Sequence, residues 1–138
     1  MCEIFNKLNE ELTAKNIDDF RIIGFSDNDT LIIAGSLDFG YYHDIEIYFH
    51  ETTYISCPTS FNYAKFRFAT GEERKELLPK LFDGFEDLVI CIVLDEGFDK
   101  NPVKHYIVAK NIEFRVGTVF YYKRDGLKEG ERIAEWVK

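Results

Sequence analysis

At 138 residues, with 46% apolar and 16% aromatic side chains, the chain has the size of one domain and the material for one core, which excludes the charge-dominated, apolar-poor class of disordered chains. Its formal charge of −8 repels phosphate backbones and argues against nucleic acid as a partner. Three widely spaced cysteines, Cys2, Cys57 and Cys91, with no CxxC pair, fit neither a disulfide framework nor a zinc site.

The chain opens with "MCEIFNKLNEEL", which has acids where an export signal needs a basic start and an apolar run. A cytoplasmic protein with reduced thiols is expected. Ile4, Phe5, Leu8 and Leu12 recur at helical spacing and predict an amphipathic helix over 3–15, with Asn16 near its end. "FRIIGF" (20–25) and "TLIIAGSLDF" (30–39) are rich in β-branched and aromatic residues, and "SDND" between them has turn chemistry, so a hairpin is predicted.

In "HDIEIYFH" (43–50), side chains alternate with the period of a strand. Ile45, Ile47 and Phe49 should enter the core; Asp44, Glu46, Tyr48 and His50 should face away from it. "TTYISCP" (52–58) is expected to pair with this strand after a tight connection near Glu51 and to end by Pro58, which cannot donate to a ladder. "KFRFA" (65–69) is another short strand. "TGEERKELLPKLF" (70–82) begins with a capping box between Thr70 and Glu73 and continues as a helix with Leu77, Leu78, Leu81 and Phe82 as its buried stripe, bent or ended by Pro79.

"LVICIVL" (88–94) is the longest purely apolar run, far short of the roughly 20 residues needed to cross a bilayer. It predicts a strand covered on both faces, with Cys91 a small core residue. No membrane contact is expected. "HYIVAK" and "IEFRVGTVFYYKR" supply further strands, and "LKEGERIAEWVK" a short final helix anchored by Ile133, Trp136 and Val137. The expected fold is a single α+β domain over 1–138, with a mainly antiparallel sheet, an N-terminal helix, a middle helix and a short C-terminal helix.

Charge is divided unevenly. Residues 1–64 hold eleven acids and three bases, whereas 65–138 hold fourteen of each; within the latter, 83–99 carry six acids and no base, and 100–132 carry eight bases and four acids. If these segments form separate surfaces, the molecule is polarised and steers charged partners.

The stretch 38–61 concentrates titratable residues. His43 and His50 lie seven positions apart and should face opposite sides of a strand, while Asp44, Glu46 and His50 spread over about 20 Å at about 3.4 Å per residue, too far to hold one ion together. No metal is expected. "SDNDT" and "DEGFDKNP" lack the order of a calcium loop, no glycine-rich nucleotide loop follows a strand, and GxSxG, HExxH and CxxC are absent. No cofactor is called for, and an enzyme is not expected. Cys57 has no identifiable partner that would make it a nucleophile.

What the stretch does offer is an acidic, tyrosine-rich recognition face: Asp38, Tyr41, Tyr42, Asp44, Glu46, Tyr48, His50, Glu51 and Tyr54. Tyrosine buries a large area while keeping a polar tip, and this composition suits a basic protein partner. In "LIIAGSLDFGYYHDIEIYFHETTYISCPTSF" the strand, the YHD turn, the I-x-I-x-F strand and the Y-I-x-x-P strand resemble the small acidic immunity proteins of bacterial polymorphic toxin systems. The resemblance implies a cytoplasmic protein that binds a toxin domain and occludes its active site, without catalysis of its own. The rival readings are a small α+β enzyme or ligand-binding domain with a pocket between sheet and helices, and a subunit that forms homo-oligomers through the same aromatic face.

Overall fold

In the computed structural model, residues 3–26, 28–77, 87–94 and 102–137 are described. Helix α1 (Glu3–Ala14) buries Phe5, Leu8 and Leu12. It ends as a Schellman motif: Asn16 takes φ 54°, Ile17 N–H donates to the Leu12 carbonyl at 2.9 Å, and Asn16 N–H donates to that of Thr13 at 3.3 Å. Asn tolerates the left-handed conformation this cap requires, and the buried pair Leu12 and Ile17 supplies its usual apolar contact.

Among the described residues, ten strands follow in two sheets. β1 (Asp19–Phe25), β2 (Leu31–Ser36), β3 (Tyr42–His50), β5 (Ser60–Asn62), β9 (Asn111–Phe120) and β10 (Arg132–Ile133) form one sheet in the order β10-β9-β3-β2-β1-β5. β4 (Tyr54–Ser56), β6 (Ala64–Phe68), β7 (Leu88–Leu94) and β8 (Lys104–Ala109) form the other in the order β4-β8-β7-β6. Pairing is antiparallel throughout except for β10 on β9. The mainly antiparallel α+β architecture is therefore as expected.

One core joins the two sheets and α1. Phe20, Ile33, Ile45, Ile47 and Phe49 of the larger sheet meet Phe66, Ile90, Ile92 and Ile107 of the smaller one, with Leu8 between. Gly35 is required at this crowded point, because a Cβ there would lie 2.8 Å from methyl carbons of both Ile17 and Ile45. The α1 side chain of Asn9 also closes the β6 edge: its amide donates to the Phe66 carbonyl at 2.8 Å and accepts from the Phe66 N–H at 3.1 Å, taking the place of a neighbouring strand.

Three expectations need correction. β4 pairs with β8 and not with β3, because β3 has both edges occupied by β2 and β9; the chain leaves the sheet at Glu51 (φ 49°), and Thr53 N–H donates to the Val108 carbonyl instead. The strand expected over 30–39 stops at Ser36, whose hydroxyl accepts from Asp38 N–H and donates to the Tyr42 carbonyl, closing a turn. The C-terminal helix is absent among the described residues: Gly126 and Gly130 adopt φ 70° and 82°, and the segment runs extended along β9, leaving Trp136 65% exposed and not an anchor.

Helix α2 (Gly71–Leu77) starts with the expected capping box: Thr70 N–H donates to Glu73 Oε1 at 2.8 Å and Glu73 N–H donates to Thr70 Oγ1 at 3.2 Å. Leu77 is buried; Leu78, Pro79, Leu81 and Phe82, like "DEGFDKN", lie outside the described residues. Glu73 also accepts two bonds from Arg67, at 2.7 and 3.0 Å, and stands over Cys91 and Tyr106, which share a row with Arg67 across the sheet. Arg67 above all holds the Glu73 carboxyl down at about 2.

Glu73 thus ties α2 to the smaller sheet, and Glu73→Ala should cost about 3 kcal/mol by urea denaturation, since it removes a cap and leaves Arg67 without its buried counter-charge. A loss below about 1 kcal/mol would show that α2 is held by its apolar face alone.

Candidate functional site

β3 divides its side chains as its alternation predicts, with Ile45, Ile47 and Phe49 sealed in the core. The other face is less open than expected. Asp44, Tyr48 and His50 are half-buried, and Glu46 is only 7% exposed.

Glu46 is covered because three side chains converge on it. His43 Nε2–H donates to Oε2 at 2.8 Å, Arg132 Nη2–H donates to the same oxygen at 2.7 Å, and the Tyr48 hydroxyl donates to Oε1 at 2.5 Å. With Nε2–H committed to the carboxylate, His43 Nδ1 accepts from the Tyr121 hydroxyl at 2.6 Å. His43 reaches Glu46 beside a bulge in the β3–β9 ladder, where Gly117 and Thr118 of β9 stand opposite Asp44 alone; the bend and added twist of a bulge disturb the alternation next to it. The expectation that His43 and His50 stand on opposite sides fails here for that reason.

The network continues along the face. Tyr48 stacks on His50 with ring centroids 6.2 Å apart and under the Arg115 guanidinium at 4.8 Å; His50 Nε2 meets Glu113 Oε1 at 3.0 Å. Arg132 is brought in by the C-terminal segment, which passes so close to β9 that a Cβ on Gly117 would lie 2.5 Å from the Gly130 carbonyl oxygen. Between them Glu46, Arg115, Gly117, Gly130 and Arg132 line a cleft of about 220 Å³.

The electrostatics favour a latch. The His43 hydrogen bond, followed by that of Tyr48 and the charge of Arg132, outweighs burial and holds the Glu46 carboxyl down at about 2. Burial first, then the bond to Glu46, pushes the Tyr48 phenol up to about 12, and burial likewise raises Tyr121. Phenols held protonated donate hydrogen bonds well but attack poorly. Burial also pushes the Cys57 thiol up to about 11, so neither residue type is an activated nucleophile. Among the described residues no group of three His, Cys, Asp or Glu could hold a metal ion.

The remaining proposed residues separate into three places. Asp38, Tyr41, Tyr42 and Asp44 gather at the end of β3, where Asp38 Oδ1 accepts from Gly40 N–H and Asp44 from the Thr118 hydroxyl. Glu51 borders a polar hollow with Asp29 and Lys110, and Tyr54 packs on Leu77, Val89 and Val108 at the smaller sheet.

Around the β3 end the structure adds residues the sequence did not mark. Tyr122 packs edge-on against Tyr41 and Phe120, Phe120 against Tyr42, and Trp136 lies 5.3 Å from Tyr121 by ring centroids. Tyr41, Tyr122 and Trp136 are 61%, 42% and 65% exposed. Only pairing of β3 with β9, 78 positions away in the case of His43 and Tyr121, puts them together, so no local pattern could have revealed them.

Because its folded-state carboxyl lies below the usual value near 4.5, Glu46 contributes stability that is complete above that value and is lost as pH falls towards about 2. Glu46→Gln should remove on the order of 3 kcal/mol at neutral pH and flatten the stability profile between about pH 4.5 and about pH 2, measured by denaturant melts; an unchanged slope in that window would refute the latch. Comparisons with family models, with curated proteins and with solved structures find no match.

Proposed function

We propose that the protein is a binding module for another protein and that it docks through the aromatic corner at the end of β3 and β9. The observation that carries this reading is the exposure of Tyr41 and Tyr122, packed edge-on at the end of β3 and β9, with Trp136 exposed against the adjoining Tyr121, since tyrosine and tryptophan are the side chains that most often anchor interfaces and large exposed aromatics are costly to leave in water. Asp38 and Asp44 border the same corner, close enough that their charges help to raise the Tyr42 phenol after burial. With a chain charge of −8, they favour a basic partner.

Glu46 and Tyr48 belong to the latch in this account and support the corner from beneath. The immunity-protein form of the reading rests on the resemblance carried by residues 31–61 and on the acidity. It adds that the partner is a toxin domain whose active site is occluded, and its readout is growth of cells producing that domain with and without this chain.

A second reading, a small-ligand site, is favoured by one observation: the Arg115 and Arg132 guanidinium groups converge with Glu46 on the cleft of about 220 Å³. That volume is below the usual range for ligand pockets, and both guanidinium groups already have partners, which is why protein binding is preferred.

Affinity capture with the intact chain, compared with the Y41A/Y122A/W136A variant, tests the proposal. The variant should retain its fold by circular dichroism and bind the captured partner at least about tenfold more weakly. Association should slow as salt rises. Partner binding unaffected by the three substitutions but abolished by Phe25→Ala, an exposed side chain on β1, would move the interface elsewhere.

A further inference from the structure

β9 is ten residues long, yet among the described residues its outer edge is paired only at its last two, Val119 and Phe120, by β10. Among the described residues no strand lies beside the preceding run, Ile112 to Val116, which forms an edge of the larger sheet. Such an edge offers unpaired backbone donors and acceptors and recruits another strand unless something guards it. Val116 is 42% exposed. Beside the edge, a groove of about 440 Å³ opens between the sheets, lined by Ile4, Phe68, Leu88, Ile112 and Phe114.

The charges on this edge are not simply protective. Glu113 and Arg115 lie on the outer face, with side chains 44% and 68% exposed and 3.6 Å apart. In an antiparallel pair of two β9 edges centred on Phe114, each Glu113 stands opposite the Arg115 of the other copy, each Ile112 stands opposite Val116, and Phe114 meets itself. Opposite charges directly across a ladder stabilise it, and like charges do the reverse. Centring the pair on residue 113 would set glutamate against glutamate, and centring it on 115 would set arginine against arginine. A one-residue slip between the strands would put outer-face side chains opposite inner-face ones. One register alone satisfies both charge and face, and it is self-complementary under a twofold axis, as an isologous dimer demands.

We infer that this edge binds a second copy of the chain, joining the two larger sheets into one continuous antiparallel sheet through Ile112 to Val116. The partner's Val116, apolar and exposed in the single copy, then covers Ile112 at the mouth of the groove. The surface is separate from the aromatic corner, so self-association and capture of another protein can fail independently. A five-residue strand pair is a small interface, of the class that exchanges rapidly.

Sedimentation velocity from about 10 µM to about 1 mM is the test, on the intact chain and on Glu113→Arg and Arg115→Glu, with folding checked by circular dichroism. The intact chain should shift towards dimer as concentration rises, and each variant alone should associate at least about tenfold more weakly. An equimolar mixture of the two variants should recover dimer, because each arginine then faces a glutamate; the E113R/R115E chain should recover it as well. A monomer throughout for the intact chain, variants that associate as well as the intact chain, or a mixture no better than its components would each overturn the inference.

Discussion

The Glu46 carboxylate is the point on which the outer half of the molecule depends. It sits on a central strand of the larger sheet, away from the core, and would be an ordinary solvated acid if the β3–β9 ladder were regular and the C-terminal segment were elsewhere. The register shift at His43 and the close passage of Gly130 over Gly117 change that. They bring an imidazole and a guanidinium onto one oxygen while Tyr48 takes the other. A carboxylate with a cation and two further donors remains ionised despite burial, and so it fastens the final residues to the sheet. With that segment in place, Trp136 is presented at the corner beside Tyr121.

The inner half rests on apolar packing and on two devices that complete the backbone's hydrogen bonding. Asn9 stands in for a strand at the β6 edge, and the Thr70–Glu73 box starts α2 over the smaller sheet. Glu73 parallels Glu46: each is a covered carboxylate joining a peripheral segment to a sheet through an arginine, one from β6 and the other from the C-terminal segment. The chain therefore uses acid–guanidinium pairs at the margins of a core that is otherwise made of Ile, Leu, Val and Phe.

Local chemistry was legible in the sequence. The helical spacing of Phe5, Leu8 and Leu12, the alternation of Ile45, Ile47 and Phe49, the fully covered strand around Cys91 and the capping box all have causes within a few residues, and they appear as read. What sequence could not supply was which edge pairs with which. The segment after β3 looked like its hairpin partner because nothing local records that β9, some 65 residues later, already occupies that edge. The C-terminal segment carries Ile133, Trp136 and Val137 at helical spacing, but two glycines at positive φ and an open place on β9 favour an extended course. The candidate site suffered most, since His43, Arg132 and Tyr121 become neighbours of Glu46 only through that pairing.

These placements shift the recognition surface from the strand face to its end. An acid such as Glu46, covered by an imidazole and a guanidinium, contributes little to a partner, whereas exposed phenols and an indole at the corner have area to bury. The most direct measurement of this arrangement is the titration of the Glu46 side-chain carboxyl by carbon NMR on the intact protein. The latch predicts a carboxylate that stays ionised until pH falls to about 2. A midpoint near the ordinary value of about 4.5 would mean that His43 and Arg132 do not hold it in solution, that the C-terminal segment is free of the sheet, and that the strand face itself is open.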